Sequence, residues 1–172
     1  MKTKIYFVLL YLFMINIGHA QPQLKYDGKN EQLIEAIIIA NRILLSPEFY
    51  TEIEKINKFN DTKDTSYNGQ KISNEFKSLK NTITVKTIWR PFSARNAFTQ
   101  TKIKINRLNL DRSLSSIVNT LIHETVHFVD FQINEEFEYT HLSQYAENPS
   151  VSAPYIIGEI AQKIVTKHLS KI

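Results

Sequence analysis

The chain has 172 residues, no cysteine and a formal net charge of +4. This length allows one domain, and without cysteine neither disulfide bonds nor thiolate metal ligands can stabilise the chain, so stability must come from an apolar core. The charge falls to +2 without the first 20 residues, which carry two lysines and no acid. So small a positive balance argues against a nucleic-acid-binding protein.

The first 20 residues, MKTKIYFVLLYLFMINIGHA, have the layout of a secretory signal peptide. Lys2 and Lys4 precede an apolar run from Ile5 to Ile17, and small residues end the segment at Ala20. A membrane anchor is the alternative, but the run is shorter than the about 20 apolar residues that span a bilayer. We expect cleavage after Ala20, a secreted or periplasmic protein without a membrane anchor, and a single domain over 21–172.

The first part of this domain predicts two helices and a loop. Apolar residues recur at helical spacing from Asn30, and the pattern stops before Pro47. A second, shorter helix is expected over Pro47 to Lys58, because proline is tolerated in a first turn. The polar stretch from Asn60 to Gln70 predicts a surface loop.

Two strands and two helices are predicted further along. NTITVKTIW and FTQTKIKINRL alternate in β-branched residues, and the second stretch is expected to be a half-exposed strand because lysines separate its isoleucines. A long helix is expected from about Ser113 to about Asn134, with Asp111 or Ser113 as its cap, and another from about Pro154 to Ser170. These elements predict an α+β fold with a small sheet and flanking helices.

The predicted long helix carries the motif HETVH, from His123 to His127. Histidines four residues apart project from one face of a helix one turn apart, so both rings can bind one ion. Zinc suits two neutral imidazoles, a third ligand and a water whose proton the adjacent Glu124 can accept. Residue frequencies give roughly 1% for one such motif by chance. The alternative is a pair of hydrogen-bonded histidines beside a solvated charge, and we favour the zinc site.

Through HETVH the sequence resembles the zincin metallopeptidases. The resemblance implies that His123 and His127 bind one zinc ion (Zn2+) and that Glu124 is the catalytic base. It also implies a zincin-like fold, in which a small mixed sheet with an edge strand lies beside a long active-site helix. In zincins the edge strand holds an extended peptide substrate, which would assign that task to the stretch around Phe98 to Ile105. The expected function is secreted, zinc-dependent hydrolysis of peptide or protein substrates.

A narrower resemblance is to small, often secreted bacterial zincins in which the motif is followed by another His and by a Ser-Ala-Pro-Tyr segment with a nearby Gly. Here that segment reads SAPYIIGEIA, Ser152 to Ala161. The resemblance implies that His141 is the third histidine and that Tyr155 lies near the metal. A tyrosine there would donate a hydrogen bond to the developing oxyanion.

The third metal ligand has three candidates. Asp130 lies about 10 Å along the helix from His123, too far for its short carboxylate to reach an ion held by both histidines. It is better placed to accept a hydrogen bond from the ring N–H of His127. Glu159 would match the later-helix glutamate of thermolysin-like zincins, but equally fits an exposed acid in a first helical turn. His141 follows NEEFEYT, a stretch long enough to return the chain to the ion, so we predict His141 and leave the other two open.

Two other functions stay open at this stage. One is a secreted binding protein with a structural or degenerate zinc site, and the other is a zinc amidase acting on non-protein substrates or cell-wall peptides. The sequence gives no indication of the oligomeric state.

Overall fold

The computed structural model describes residues 21–59, 68–91, 97–99, 101–133 and 152–170. The predicted signal peptide, residues 1–20, and His141 lie outside them. The described strands are β1 (Gln23–Lys25), β2 (Thr82–Ile88), β3 (Ala97–Thr99) and β4 (Ile103–Asn106). The described helices are α1 (Glu31–Leu45), α2 (Pro47–Glu54), α3 (Gly69–Ser78), α4 (Leu114–Gln132) and α5 (Ala153–Leu169). The predicted α+β class is confirmed.

The four strands form one mixed sheet in the order β1-β2-β4-β3. β1, β2 and β4 run parallel, and β3 pairs antiparallel with β4 at one edge. Alternate residues of the strands are buried, with Ile83 and Val85 of β2 inside and Thr84 and Lys86 exposed. This alternation is expected for a sheet that packs helices on one face only.

The core between the sheet and the helices is aliphatic and aromatic. α4 contacts β3, β4, α1 and α5, and so lies at its centre. Burying one such large apolar side chain contributes about 1.5–3 kcal/mol, and no cross-link is needed when many are buried together. The largest fully buried side chains are Phe49, Phe59, Phe76, Leu33, Leu44, Ile53, Ile72, Ile83, Ile103, Ile105 and Ile117.

Polar side chains mark the helix starts that the sequence predicted. Asn30 Oδ1 accepts from the Leu33 N–H at 2.8 Å before α1, and Ser113 Oγ accepts from the Ser116 N–H at 3.3 Å before α4. Each bond satisfies a backbone donor that the first helical turn leaves unpaired. Ser113, not Asp111, is therefore the cap of α4. Helix α2 is shorter than predicted, since it ends at Glu54 and not at Lys58.

Two elements were not predicted. β1 is only three residues long, too short to show an alternating pattern, and Asn41 fixes it through hydrogen bonds to both the N–H and the C=O of Leu24 (2.8 and 2.9 Å). Helix α3 begins at Gly69, so the predicted loop is wrong at its end, and its residues 60–67 lie outside the described residues. A Cβ at Gly69 would overlap the Ile53 carbonyl oxygen, so glycine is needed here for close packing. In the sequence alone, the same glycine looks like a turn residue.

A strand within FTQTKIKINRL is confirmed as β4, but the prediction of one half-exposed strand over the whole stretch is wrong. The stretch contains two antiparallel strands, β3 and β4, paired with Ala97 opposite Ile105 and Thr99 opposite Ile103. β4 lies between β2 and β3, and both of its isoleucines are fully buried. The alternation of lysine and isoleucine reports which face is buried and cannot show that a strand has neighbours on both sides. β3 is therefore the edge strand of this stretch, and β1 forms the other edge of the sheet.

Within the described ranges, no helix combines the length and the hydrophobicity that crossing a membrane requires.

Candidate active site

The HETVH motif lies in the middle of α4, on a side of the helix that is nearly enclosed. Every residue from Thr120 to Asp130 is buried except His123 and His127, which are half-buried. Their ring centroids are 5.1 Å apart with an interplanar angle of 62°. The helix therefore presents two imidazoles together at the only partly open positions of this segment.

Glu124, which follows His123 in the sequence, is buried, with 6% of the residue exposed. Thr99, the last residue of β3, donates a hydrogen bond from Oγ1 to Glu124 Oε2 at 2.7 Å. The same Oγ1 lies 3.2 Å from the Glu124 carbonyl oxygen. Burying a carboxylate is costly without such donors. The edge strand thus supplies a polar contact to the predicted catalytic base.

Thr99 is a site residue that the sequence analysis missed. It lies 25 residues before Glu124, on a different element, and its contact depends on how β3 packs against α4. No local pattern around Thr99 marks it. Contacts of this kind become visible only in the folded chain.

Tyr155 lies beside His123, where the narrower resemblance placed it near the metal. Its ring centroid is 4.6 Å from that of His123, the rings meet edge to face at 80°, and the side chain is 38% exposed. The phenol therefore belongs to the rim of the site, accessible to solvent and in contact with a predicted zinc ligand.

The packing of α5 on α4 accounts for the position of Tyr155. A Cβ at Gly158 would lie 2.7 Å from Asn119 Oδ1 and 3.1 Å from the Asn119 carbonyl oxygen, so the missing side chain lets the helices approach closely. Asn119 Nδ2 also donates to Gln162 Oε1 at 2.7 Å. Since His123 lies one turn after Asn119 and Tyr155 about one turn before Gly158, this register brings Tyr155 and His123 together.

The two acidic candidates for the third ligand lie in different environments. Asp130 is 5% exposed and follows His127 by three residues, the spacing of neighbouring side chains on a helix. The Glu159 side chain is about half exposed and lies 3.9 Å from Lys163 Nζ, as a surface acid would. Asp130 is therefore enclosed near the histidines, whereas Glu159 faces solvent.

A metal ion fits this donor set in part. Two imidazoles one turn apart, with a buried carboxylate in the same motif, suit zinc better than calcium or magnesium, which prefer oxygen ligands. In the part of the chain that the structure describes, no three His, Asp or Glu side chains are arranged to hold a metal ion. Neither Asp130 nor Glu159 completes the pair there, and the predicted third ligand, His141, lies outside the described residues.

Arg112 fixes the start of α4 on the same side as the histidines. Its Nε donates to the Asn109 carbonyl oxygen at 2.6 Å, and its Nη1 to Thr120 Oγ1 at 3.1 Å. Thr120 lies one turn before His123, so the guanidinium joins the connection after β4 to the helix just ahead of the motif. Burial lowers the pKa of Arg112 from its ordinary value. These bonds hold the HETVH segment in a fixed position relative to the sheet.

Comparison of the chain with protein-family models, with curated proteins and with solved structures gave no match in any of the three. The functional argument therefore depends on the arrangement of these side chains.

Proposed function

We propose that this chain is an exported zincin-type metallopeptidase that hydrolyses peptide bonds with one zinc ion. The observation that carries the proposal is the buried Glu124, which lies in the same helical motif as two half-buried histidines and accepts a hydrogen bond from the edge strand. A folding role does not require a carboxylate at a buried helix position, because burial of a charge opposes folding. A base that must be shielded and oriented does require it.

The order of the elements also supports the proposal. One antiparallel strand, β3, closes the edge of an otherwise parallel sheet, α4 packs against that strand, and α5 packs against α4. This is the arrangement expected from the zincin resemblance, with an edge strand, an active-site helix and a C-terminal helix. In the proposed enzyme the outer edge of β3 pairs with an extended peptide substrate.

Each side chain has one task in the proposed reaction. The zinc ion, when bound, supplies a Lewis acid and lowers the pKa of water. His123 and His127 hold the ion through neutral ring nitrogens, with His141 as the third ligand. The Glu124 carboxylate takes the proton of the attacking water and passes it to the leaving amine nitrogen. Tyr155 donates from the rim of the site to the oxygen that becomes negative as the carbonyl is attacked.

Asp130 has a supporting role in the proposed site. A buried carboxylate three residues after His127 suits an acceptor for the ring N–H of that histidine, which fixes the tautomer that leaves the other nitrogen for the metal. The position of Asp130 along the helix does not suit a direct ligand, since it is about 10 Å from His123 along the axis.

The experiment that tests the function combines metal content with hydrolysis. The chain from Gln21 onward is purified, its zinc is measured, and cleavage of an unstructured protein is followed before and after treatment with a chelator. We expect one zinc per chain, loss of cleavage on chelation and recovery when zinc is restored. Zinc without any hydrolysis would indicate the binding-protein alternative, and cleavage confined to non-protein amides or cell-wall peptides would indicate the amidase.

A further inference from the structure

Thr99 of the edge strand contacts the proposed base through its side chain. Its hydroxyl has a single proton, so it donates strongly to one acceptor at a time, and the Glu124 carboxylate at 2.7 Å is closer than the carbonyl oxygen at 3.2 Å. A hydrogen bond to a charged acceptor is stronger than one between neutral groups. The orientation of the Glu124 carboxylate is therefore linked to the position of the β3 backbone.

β3 is a short strand at one edge of the sheet. It has three residues and, among the described strands, pairs on one side only, with β4. Short strands at a sheet edge leave one row of backbone donors and acceptors unpaired, and a second partner adds bonds along that row. A peptide that pairs with the outer edge would fix the backbone around Phe98 and Thr99 more firmly.

We propose that Thr99 couples the binding of an extended substrate to the positioning of Glu124, an inference that rests on the proposed peptidase function. Substrate residues that pair with β3 fix the Thr99 backbone, and the Thr99 hydroxyl then holds the Glu124 carboxylate where it accepts the proton of the attacking water. The preferred substrate class is accordingly an extended peptide segment that covers β3, and not a dipeptide. Binding energy from residues remote from the cleaved bond then raises kcat as well as lowering KM.

Thr99 is a positioning residue in this scheme, and the chain offers a matched control for it. Thr99→Val keeps the β-branched shape and removes the donor, whereas Thr99→Ser keeps the donor. Thr125→Val is the control, because Thr125 is buried next to Glu124 and its Oγ1 donates to the Leu121 carbonyl oxygen at 2.7 Å. Both valine variants lose one side-chain hydroxyl hydrogen bond, partly buried at Thr99 and buried at Thr125, but only the first loses the link to Glu124.

The experiment measures kcat and KM of these zinc-loaded proteins on two peptides with the same cleaved bond. One peptide extends far enough to pair with all of β3, and the other is truncated to the residues around the bond. We expect the wild type to turn over the long peptide faster at saturation. Thr99→Val should lower kcat on the long peptide by about 10- to 100-fold, the range for one hydrogen bond to a charged group, and have little effect on the short one. Thr99→Ser should restore the difference and Thr125→Val should retain it.

Equal loss on both peptides in Thr99→Val would overturn the coupling and leave Thr99 a structural residue, as would no loss on either peptide or a failure of serine to restore the difference. If Thr99→Val does not fold, Thr99→Ala compared with Thr99→Ser decides in the same way. A wild type that cleaves neither peptide with zinc bound contradicts the proposed function instead.

A second measurement is independent of turnover. Amide hydrogen exchange of zinc-loaded Glu124→Gln is compared with and without each peptide, and zinc affinity is compared across the Thr99 variants. We expect the long peptide alone to protect the amides of β3 and the zinc affinity to be the same in all Thr99 variants. Protection of β3 by both peptides, or by neither, would contradict the proposal.

Discussion

Helices α1 and α4 are both largely apolar, pack against each other, and yet differ in what they bury. The buried residues of α1 are all apolar, and its exposed ones include the large side chains Ile38 and Leu45, 46% and 63% exposed. α4 encloses two acids, Glu124 and Asp130, in its last three turns. An exposed isoleucine is ordinary in a folded protein, whereas a buried carboxylate opposes folding unless other groups compensate for it.

The comparison separates a helix that folding alone explains from one that it does not. The sequence of α1 can be accounted for by its cap, its periodicity and its aliphatic face. The sequence of α4 contains the same features and, in addition, two acids whose burial opposes folding. Such departures from the folding rules are expected at functional sites. Substitutions matched between the two helices can test this interpretation.

The largest effect is expected from removing a zinc ligand. His141→Ala should release zinc and abolish hydrolysis together, because two histidines alone hold the ion weakly. Glu159→Gln, which changes an exposed acid paired with Lys163, should alter neither property. Zinc per chain is measured after dialysis against a mild chelator. Full zinc in His141→Ala together with loss in Glu159→Gln would reverse the assignment and favour a glutamate-ligand zincin.

The next effect concerns a carboxylate on each helix. Glu124→Gln keeps the shape of the side chain but removes the base, so hydrolysis should fall by about 10²- to 10⁴-fold while zinc stays near one per chain. Glu35→Gln makes the same chemical change on the exposed side of α1 and should leave both unchanged. Rates and zinc content are measured side by side. A Glu124→Gln protein with the wild-type rate would eliminate Glu124 as the base.

A smaller effect is expected at the second buried acid of α4. Asp130→Asn preserves the volume of the side chain but weakens the acceptor proposed for the His127 ring, so zinc affinity should fall by about 10- to 100-fold. Competition with a chelator of known affinity measures the change, and excess zinc should restore part of the activity. Unchanged zinc affinity would mean that Asp130 has no part in holding His127.

The predictable part of the fold was the part with strong local signals. Asn30 and Ser113 marked helix starts because a cap is a short-range interaction, and Pro47 marked the boundary between α1 and α2 for the same reason. β1 and the pairing of β3 with β4 depend on contacts between distant segments. The alternation in the strands indicated which residues face the core, but not which strands are neighbours.

The same division applies to the candidate site. His123 and His127 are one helical turn apart, so their spacing alone predicts that the two rings meet, and Glu124 belongs to the same motif. Tyr155 was predicted through the resemblance, and its position depends on the close contact of Gly158 with Asn119, which the sequence does not reveal. Thr99 had no signal at all, because its contact with Glu124 joins two elements through tertiary packing.

The smallest effects should come from α1, where neighbouring isoleucines provide a matched pair. Ile37 is 6% exposed and Ile38 is 46% exposed, so they share a chemistry and a helix but not an environment. Ile37→Ala removes core contacts and should lower the free energy of unfolding by about 2–5 kcal/mol, whereas Ile38→Ala should change it by no more than about 0.5 kcal/mol. Denaturant unfolding measures both. Neither variant should change the zinc content or the rate of the folded protein, since α1 carries none of the proposed chemistry. A loss of zinc in folded Ile38→Ala would break the comparison, because the exposed face of α1 would then belong to the site.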